Sequence, residues 1–129
     1  MISHRRADIL DQFTHGDNDV IIKVKIGLSF VDPTKRFFVM FDKPICTDES
    51  RRQRFEDRLG GILQAKSYEK HPEYFLLSGF PTRDAAEANY WEVFKMLRYN
   101  NDVLNIMATP ATMDRNGVKN IELRIVVRG

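Results

Sequence analysis

Apolar and charged positions alternate in the segment VIIKVKIGLSFV, Val20–Val31, where Lys23 and Lys25 interleave with Val24 and Ile26. Alternation with a period of two and a high content of β-branched residues predict a half-buried strand. The letters DPTK that follow are typical of a turn, and the apolar RFFVMF after them predicts the partner strand of a hairpin.

Two later segments show the three-to-four-residue period of amphipathic helices. The first is predicted to begin with Thr47 as its N-cap, to run to about Leu59 and to stop at Gly60–Gly61. The second is predicted to begin at Thr82 and to end near Tyr99–Asp102. Its predicted buried stripe consists of Ala86, Tyr90, Val93, Phe94 and Leu97.

The remaining apolar runs predict further strands and one more helix. ILQAKSYE and PEYFLLSGF flank Lys70–His71 as a second hairpin, and Val103–Thr109 and Val118–Arg128 flank a third, with Asn116–Gly117 as a strong turn signal. Ser3 is a candidate N-cap for a helix over His4–Phe13. The predicted order of elements is therefore α, ββ, α, ββ, α, ββ.

Each long helix has one apolar face, so both are expected on the same face of an antiparallel sheet, in a two-layer sandwich. Strand 36–42, helix 48–59, hairpin 62–79, helix 82–98 and a C-terminal strand predict a ferredoxin-like βαββαβ core in a single α+β domain, residues 1–129. The first strand and the last hairpin extend the sheet. The similarity of the two strand–helix units indicates either an internal duplication or shared packing requirements, and no unusual residue repeats.

Composition indicates the cellular compartment of the protein more clearly than its activity. The 129 residues include 20 basic and 18 acidic side chains, a net charge of +2 that does not by itself indicate a polyanionic partner. A single cysteine, Cys46, excludes an internal disulfide, and the N-terminus lacks the apolar core of a signal peptide. No window approaches the roughly 18 apolar residues of a membrane span. We therefore expect a cytoplasmic location.

Candidate catalytic chemistry is sparse. Cys46 precedes a predicted helix N-terminus, where a thiol can be activated, but no histidine is placed beside it as a base. His15, Asp17 and Asp19 share one turn, a donor set that is more often a polar loop than a metal site. Because no catalytic, phosphate-binding or metal-binding motif is present, the sequence predicts a non-enzymatic protein without cofactor or metal.

Nucleic-acid binding is the alternative function. Phe37, Phe38, Tyr74 and Phe75 fall on central strands of the predicted core, a placement that resembles the RNA-recognition motif, in which aromatic side chains on adjacent strands stack on bases. This resemblance implies that Phe37 and Tyr74 contact RNA or single-stranded DNA. Burial of the same aromatics in the core is the simpler explanation.

Basic residues form two clusters that could contact phosphates. Arg51, Arg54 and Arg58 are spaced by three and four residues along one flank of the first long helix, and Arg5 and Arg6 lie close together near the N-terminus. Such a stripe suits phosphate contact, but it is equally typical of a solvated helix face that is partly paired with acids.

Trp91 is the most unusual surface residue. A rotation of about 100° per residue places it away from the buried stripe and beside Arg98 and Glu87. Either another part of the chain covers it or it anchors another chain, since Trp, Tyr and Arg dominate binding hot spots. The predicted strands Val20–Val31 and Val118–Val127 offer a second route to association, through edge pairing.

The segments HRRADILDQF and IELRIVVRG, together with a central strand-to-helix unit, resemble the plan of small phage tail-terminator proteins. The resemblance implies a ring-forming structural protein, virion-associated, whose strands line a channel. A phage-type accessory protein that binds and blocks a host factor fits the same features. The sequence therefore predicts a protein-binding or assembly function, either with a protein partner or as a homo-oligomer, with Trp91, Arg98, Arg51, Arg54 and Arg58 as the candidate surface.

Overall fold

The computed structural model describes residues 19–29 and 33–128. This part of the chain forms seven strands in a single antiparallel sheet and two helices. In chain order they are β1 Val20–Leu28, β2 Phe37–Asp42, α1 Glu49–Leu63, β3 Glu69–Lys70, β4 Tyr74–Phe80, α2 Arg83–Arg98, β5 Val103–Ala108, β6 Thr112–Met113 and β7 Lys119–Val127. The helix predicted over His4–Phe13, with Arg5 and Arg6, lies outside the described residues.

The strand order is β3-β4-β2-β1-β7-β5, and β6 also pairs with β7. The predicted ferredoxin-like core is therefore wrong, because that topology needs β5 beside β2. In the structure β1 takes this place, through the hairpin that joins Val24 to Phe41 and Ile26 to Val39. The other edge of β1 pairs with β7 from Val20 to Ile26. A mostly-sheet domain results, in which the first and last long strands lie at the centre.

Both helices pack on the sheet face that carries alternate residues of β1. Val20, Ile22, Val24 and Ile26 are almost fully buried there, whereas Lys23 and Lys25 on the opposite face are exposed. The helices contribute the other half of the core, with Phe55, Leu59 and Leu63 from α1 and Ala86, Tyr90, Val93 and Leu97 from α2. This arrangement fixes which flank of α2 faces solvent.

The helix termini agree with the sequence at one cap and differ at two other positions. The Thr82 hydroxyl accepts the N–H of Ala85 at 3.1 Å, which confirms the predicted cap of α2. In α1 the cap is Asp48, one residue after the predicted Thr47, and it accepts the N–H of Arg51 at 3.0 Å. The predicted stop at Gly60–Gly61 is wrong, since α1 continues to the fully buried Leu63.

The later hairpins are shorter or more elaborate than predicted. The strand β3 has only two residues, so β4 is mostly held by β2. The short strand β6 comes between β5 and β7 in the chain and pairs with β7, and the predicted Asn116–Gly117 turn joins the two. The Asp114 carboxylate orders this turn by accepting the N–H groups of Asn116 at 2.8 Å and Val118 at 3.0 Å.

The strand β5 forms one edge of the sheet and is irregular. Its pairing with β7 shifts register between Val103 and Asn105. The Asn105 carboxamide oxygen accepts the N–H of Ile106 at 2.9 Å. In the described ranges neither helix combines the length and the apolar character needed to cross a bilayer.

Candidate protein-binding surface

Trp91 lies on the flank of α2 that faces the β5 edge of the sheet. The core side of α2 is taken by Ala86, Tyr90, Val93 and Leu97, and rotation along the helix turns Trp91 more than about 100° away from them. The side chain remains 48% exposed. Its ring contacts Tyr90 and Phe94 edge-on, with centroid distances of 4.9 and 5.2 Å. These contacts hold an exposed indole in one orientation.

A groove runs beside Trp91, between α2 and the segment Ala108–Ala111. Its volume is about 250 Å³. The Glu87 carboxylate and the Lys119 ammonium form an ion pair in its wall. The apolar part of its wall is formed by Ile26, Tyr90, Trp91, Ala108, Ala111 and Ile121.

Tyr90 supports the groove from the core side. The residue is 1% exposed, and its hydroxyl is buried without a hydrogen-bond partner in the described structure. Burial raises the pKa of Tyr90 to about 12. Its contribution is therefore packing, and the hydroxyl remains neutral over the physiological range.

Exposed apolar side chains are concentrated near Trp91 in the sequence. Six large apolar residues are exposed among those described, and four of them are Trp91, Met96, Tyr99 and Leu104. They belong to α2, its C-cap and the start of β5. Proximity in sequence does not make them one patch, because five residues of helix turn Met96 about 140° away from Trp91.

The charges along α2 are unevenly paired. Glu87 pairs with Lys119, and Glu92 lies 3.1 Å from the Lys66 ammonium. Lys95 and Arg98 are exposed, and neither has an acidic partner in the ranges 19–29 and 33–128. We call the flank formed by the exposed Trp91, Lys95 and Arg98 and the partly buried Phe94 the Trp91 surface. Its net charge is positive.

The basic stripe of α1 is tied to the start of β5. The Arg58 guanidinium donates to both Asp102 carboxylate oxygens, at 2.9 and 3.0 Å, and lies 4.4 Å from the Phe55 ring centroid. Arg54 approaches the same carboxylate at 3.5 Å. The Arg58 hydrogen bonds hold the pKa of Asp102 below its usual range. The backbone N–H of Arg51 donates to the Asp48 cap. The side chains of Arg54 and Arg58 are therefore engaged within the fold.

The aromatics of the RNA-recognition resemblance do not share one face of the sheet. Phe37 packs against the core below the helices, with the Arg83 guanidinium 5.3 Å from its ring centroid. Tyr74 alternates with the buried Phe75 and therefore points to the opposite face, where His71 stacks on it at 4.4 Å. Base stacking across two adjacent strands needs both rings on one face. Phe37 and Tyr74 do not meet this condition, whereas Phe38 alternates with Phe37 and so shares the face of Tyr74.

The remaining candidates serve the fold or lie outside it. Cys46 is partly buried against the core. The Asp19 carboxylate lies 3.3 Å from the Arg124 guanidinium, which is itself 2% exposed. His15 and Asp17 lie outside the described residues. Within those ranges no three His, Cys, Asp or Glu side chains are grouped so that they could hold a metal ion.

Sequence reasoning identified Trp91 and Arg98 but missed the groove. The groove depends on Lys119 and Ile121, which the fold brings next to Glu87 and Tyr90 from about thirty residues away in the sequence. No spacing rule connects such positions. That Lys95 has no acidic partner among the described residues is likewise visible only once the partners of Glu87 and Glu92 are known.

No protein-family model matches the chain, and no curated protein matches it. The resemblance to phage tail-terminator proteins therefore stays a prediction.

Proposed function

We propose that this protein is a non-enzymatic binding protein that contacts another protein through the Trp91 surface. The observation that carries the proposal is the 48% exposure of a tryptophan whose ring is held by two aromatic neighbours. A large apolar side chain with one orientation loses little conformational freedom on binding. Tryptophan is also among the residues most enriched in binding hot spots, as is arginine, which Arg98 supplies here.

The alternative of nucleic-acid binding has weaker support. Phosphate contacts need cationic side chains that are free to reach the backbone. Arg58 and Arg54 are engaged with Asp102, and Phe37 and Tyr74 point to opposite faces of the sheet. A homo-oligomer of the ring-forming kind remains a form of the same proposal, with a second copy as the bound protein.

Replacement of Trp91 by alanine is expected to weaken binding to a protein partner by about tenfold or more, because truncation of a hot-spot tryptophan costs about 2 kcal/mol or more. The immobilised full chain is used to capture its partner from an extract of its source cells. Titration of that partner against wild type and Trp91→Ala gives the two affinities, and light scattering detects self-association above 15.1 kDa.

The matched control is Ile45→Ala, which truncates a 51% exposed apolar side chain far from α2 in the sequence. This variant is expected to bind as wild type does. Equal binding by Trp91→Ala contradicts the proposal, as does a chain that remains monomeric and captures nothing.

A further inference from the structure

The groove beside Trp91 has the size of a side-chain pocket. Its volume of about 250 Å³ lies below the roughly 300–1,000 Å³ of sites that enclose small-molecule ligands. Ile26 and Tyr90, each 1% exposed, form the floor of the groove, and Trp91 forms one wall. Such a cleft has room for one or two apolar side chains of a partner.

The charges next to the groove determine which charge on a protein partner is attracted to it. Both glutamates of α2 are paired with lysines, so they offer little attraction to a basic partner. Lys95 and Arg98 are exposed without a carboxylate partner in the described part of the chain. Asp84 lies in the first turn, about 20 Å along the helix from Arg98. The end of the surface beyond Trp91 is therefore cationic.

Helix geometry places these charges at a defined distance from the groove. Trp91, Lys95 and Arg98 occupy positions i, i+4 and i+7 and lie along one flank. At 1.5 Å per residue, Arg98 lies about 10 Å from Trp91 along the axis. Within that distance a partner can place an apolar side chain in the groove and carboxylates on both cations.

We propose that the groove between α2 and Ala108–Ala111 receives a large apolar side chain of a protein segment whose neighbouring residues are acidic. This inference rests on the proposed protein-binding function and specifies the chemistry of the partner. A second copy fits less well, because a symmetric contact brings Lys95 and Arg98 of both copies together.

A random peptide library displayed on phage and selected against the immobilised full chain tests this chemistry. We expect enriched peptides to combine Asp or Glu with Leu, Phe, Met or Trp. Trp91 is the only tryptophan in the chain, so a blue shift of its fluorescence on adding a tryptophan-free enriched peptide reports that the groove is covered. Binding is expected to weaken as salt is raised.

Two variants separate the groove from the charges. Ala111→Phe fills the groove from an exposed position and is expected to weaken binding of the enriched peptides by about tenfold or more. Ala65→Phe makes the same change at an exposed site at the end of α1 and is expected to have no effect. Lys95→Glu/Arg98→Glu is expected to weaken binding by about tenfold or more and to reverse its salt dependence, because the introduced glutamates repel an acidic peptide.

Each other outcome overturns the inference. These outcomes are no enrichment, enrichment of neutral or basic peptides, and undiminished binding to Ala111→Phe. A captured partner that needs Trp91 but tolerates both groove and charge variants leaves the proposed function standing and ends this inference. A dimer that Trp91→Ala abolishes identifies a second copy as the occupant and excludes the acidic segment.

Discussion

At the scale of single residues, Tyr90 combines deep burial with an unsatisfied polar atom. Its hydroxyl has no partner in the described structure, although the ring packs against both Trp91 and Phe94. A buried hydroxyl without a hydrogen bond costs about 1–3 kcal/mol. The ring is needed for packing, whereas the oxygen is not.

Tyr90→Phe is therefore expected to leave the free energy of unfolding unchanged or to raise it by up to about 1 kcal/mol, since it removes only the unpartnered oxygen. Urea denaturation measures the change. Tyr99→Phe, at a residue that is 80% exposed, serves as the control without effect. A loss of more than about 1 kcal/mol in Tyr90→Phe indicates a hydrogen bond that the structure lacks.

The same variant alters the response to alkali. An unfolded tyrosine loses its proton near pH 10, whereas folded Tyr90 keeps it until about pH 12. The part of the free energy of unfolding that depends on protonated Tyr90 is fully present below about pH 10. It is lost between pH 10 and 12, at up to about 1.4 kcal/mol per pH unit. Tyr90→Phe is expected to show a shallower decline over this interval. Equal slopes of the free energy of unfolding against pH in wild type and Tyr90→Phe contradict the raised pKa of Tyr90.

Residue-level prediction from sequence succeeded where the relevant neighbours are local. The three-to-four-residue period of the helix was sufficient to predict that Trp91 faces away from the core, although the arrangement of the sheet was not known. The partner of Arg58 could not be found in this way, because Asp102 lies 44 positions away and is brought close only by packing of α1 against the start of β5.

At the scale of elements, α1 shows how packing overrides a local stop signal. Gly60 and Gly61 lie inside the helix, and the buried Leu63 beyond them gains enough from the core to continue it. A glycine inside a helix is less favourable than alanine by about 0.5–1 kcal/mol. Prediction of the caps depended on side chains within three residues, so it was accurate to one position.

Gly61→Ala is expected to raise the free energy of unfolding by about 0.5–1 kcal/mol, because a Cβ there meets no atom within 4 Å and the helix favours alanine. Thermal and urea unfolding measure the gain. Gly79→Ala is the contrasting control, since Gly79 has φ of +86° and is expected to lose stability. A loss in Gly61→Ala means that the helix ends at the glycines after all.

At the scale of the whole molecule, the Arg58–Asp102 pair fastens α1 to the start of β5. Asp102→Asn is expected to lower the free energy of unfolding at pH 7 by about 1–2 kcal/mol, because one charged partner of a bidentate pair is removed. Chemical denaturation measures the loss. The control is Asp57→Asn, at an exposed acid of α1, the helix that carries Arg58.

The pair also sets part of the acid response. The pKa of Asp102 is lowered in the folded state, chiefly by its hydrogen bonds to Arg58. The stabilisation from ionised Asp102 is present above the pKa of the unfolded state, near 4, and is lost as the pH falls through the lower pKa of the folded state. Asp102→Asn is therefore expected to lose less stability than wild type below about pH 4. A steeper acid loss in the variant is inconsistent with this pairing.

The topology was the least predictable part of the fold. Element types followed from periodicity, but the ferredoxin-like arrangement depended on which strand lies beside β2. That place is taken by β1 through its hairpin with β2, and the other edge of β1 pairs over seven residues with β7, from Val20–Ile125 to Ile26–Lys119. Local patterns do not encode a pairing between the first and the last long strand.

The irregular strand β5 has a consequence for how copies of this chain meet. Its register shift and the Asn105 carboxamide on the Ile106 N–H interrupt the row of backbone groups that an incoming strand needs. At the other end of the sheet, β3 offers only two residues. Within the described part of the chain both edges are therefore poor templates for an incoming strand, which disfavours contacts between copies through their sheet edges.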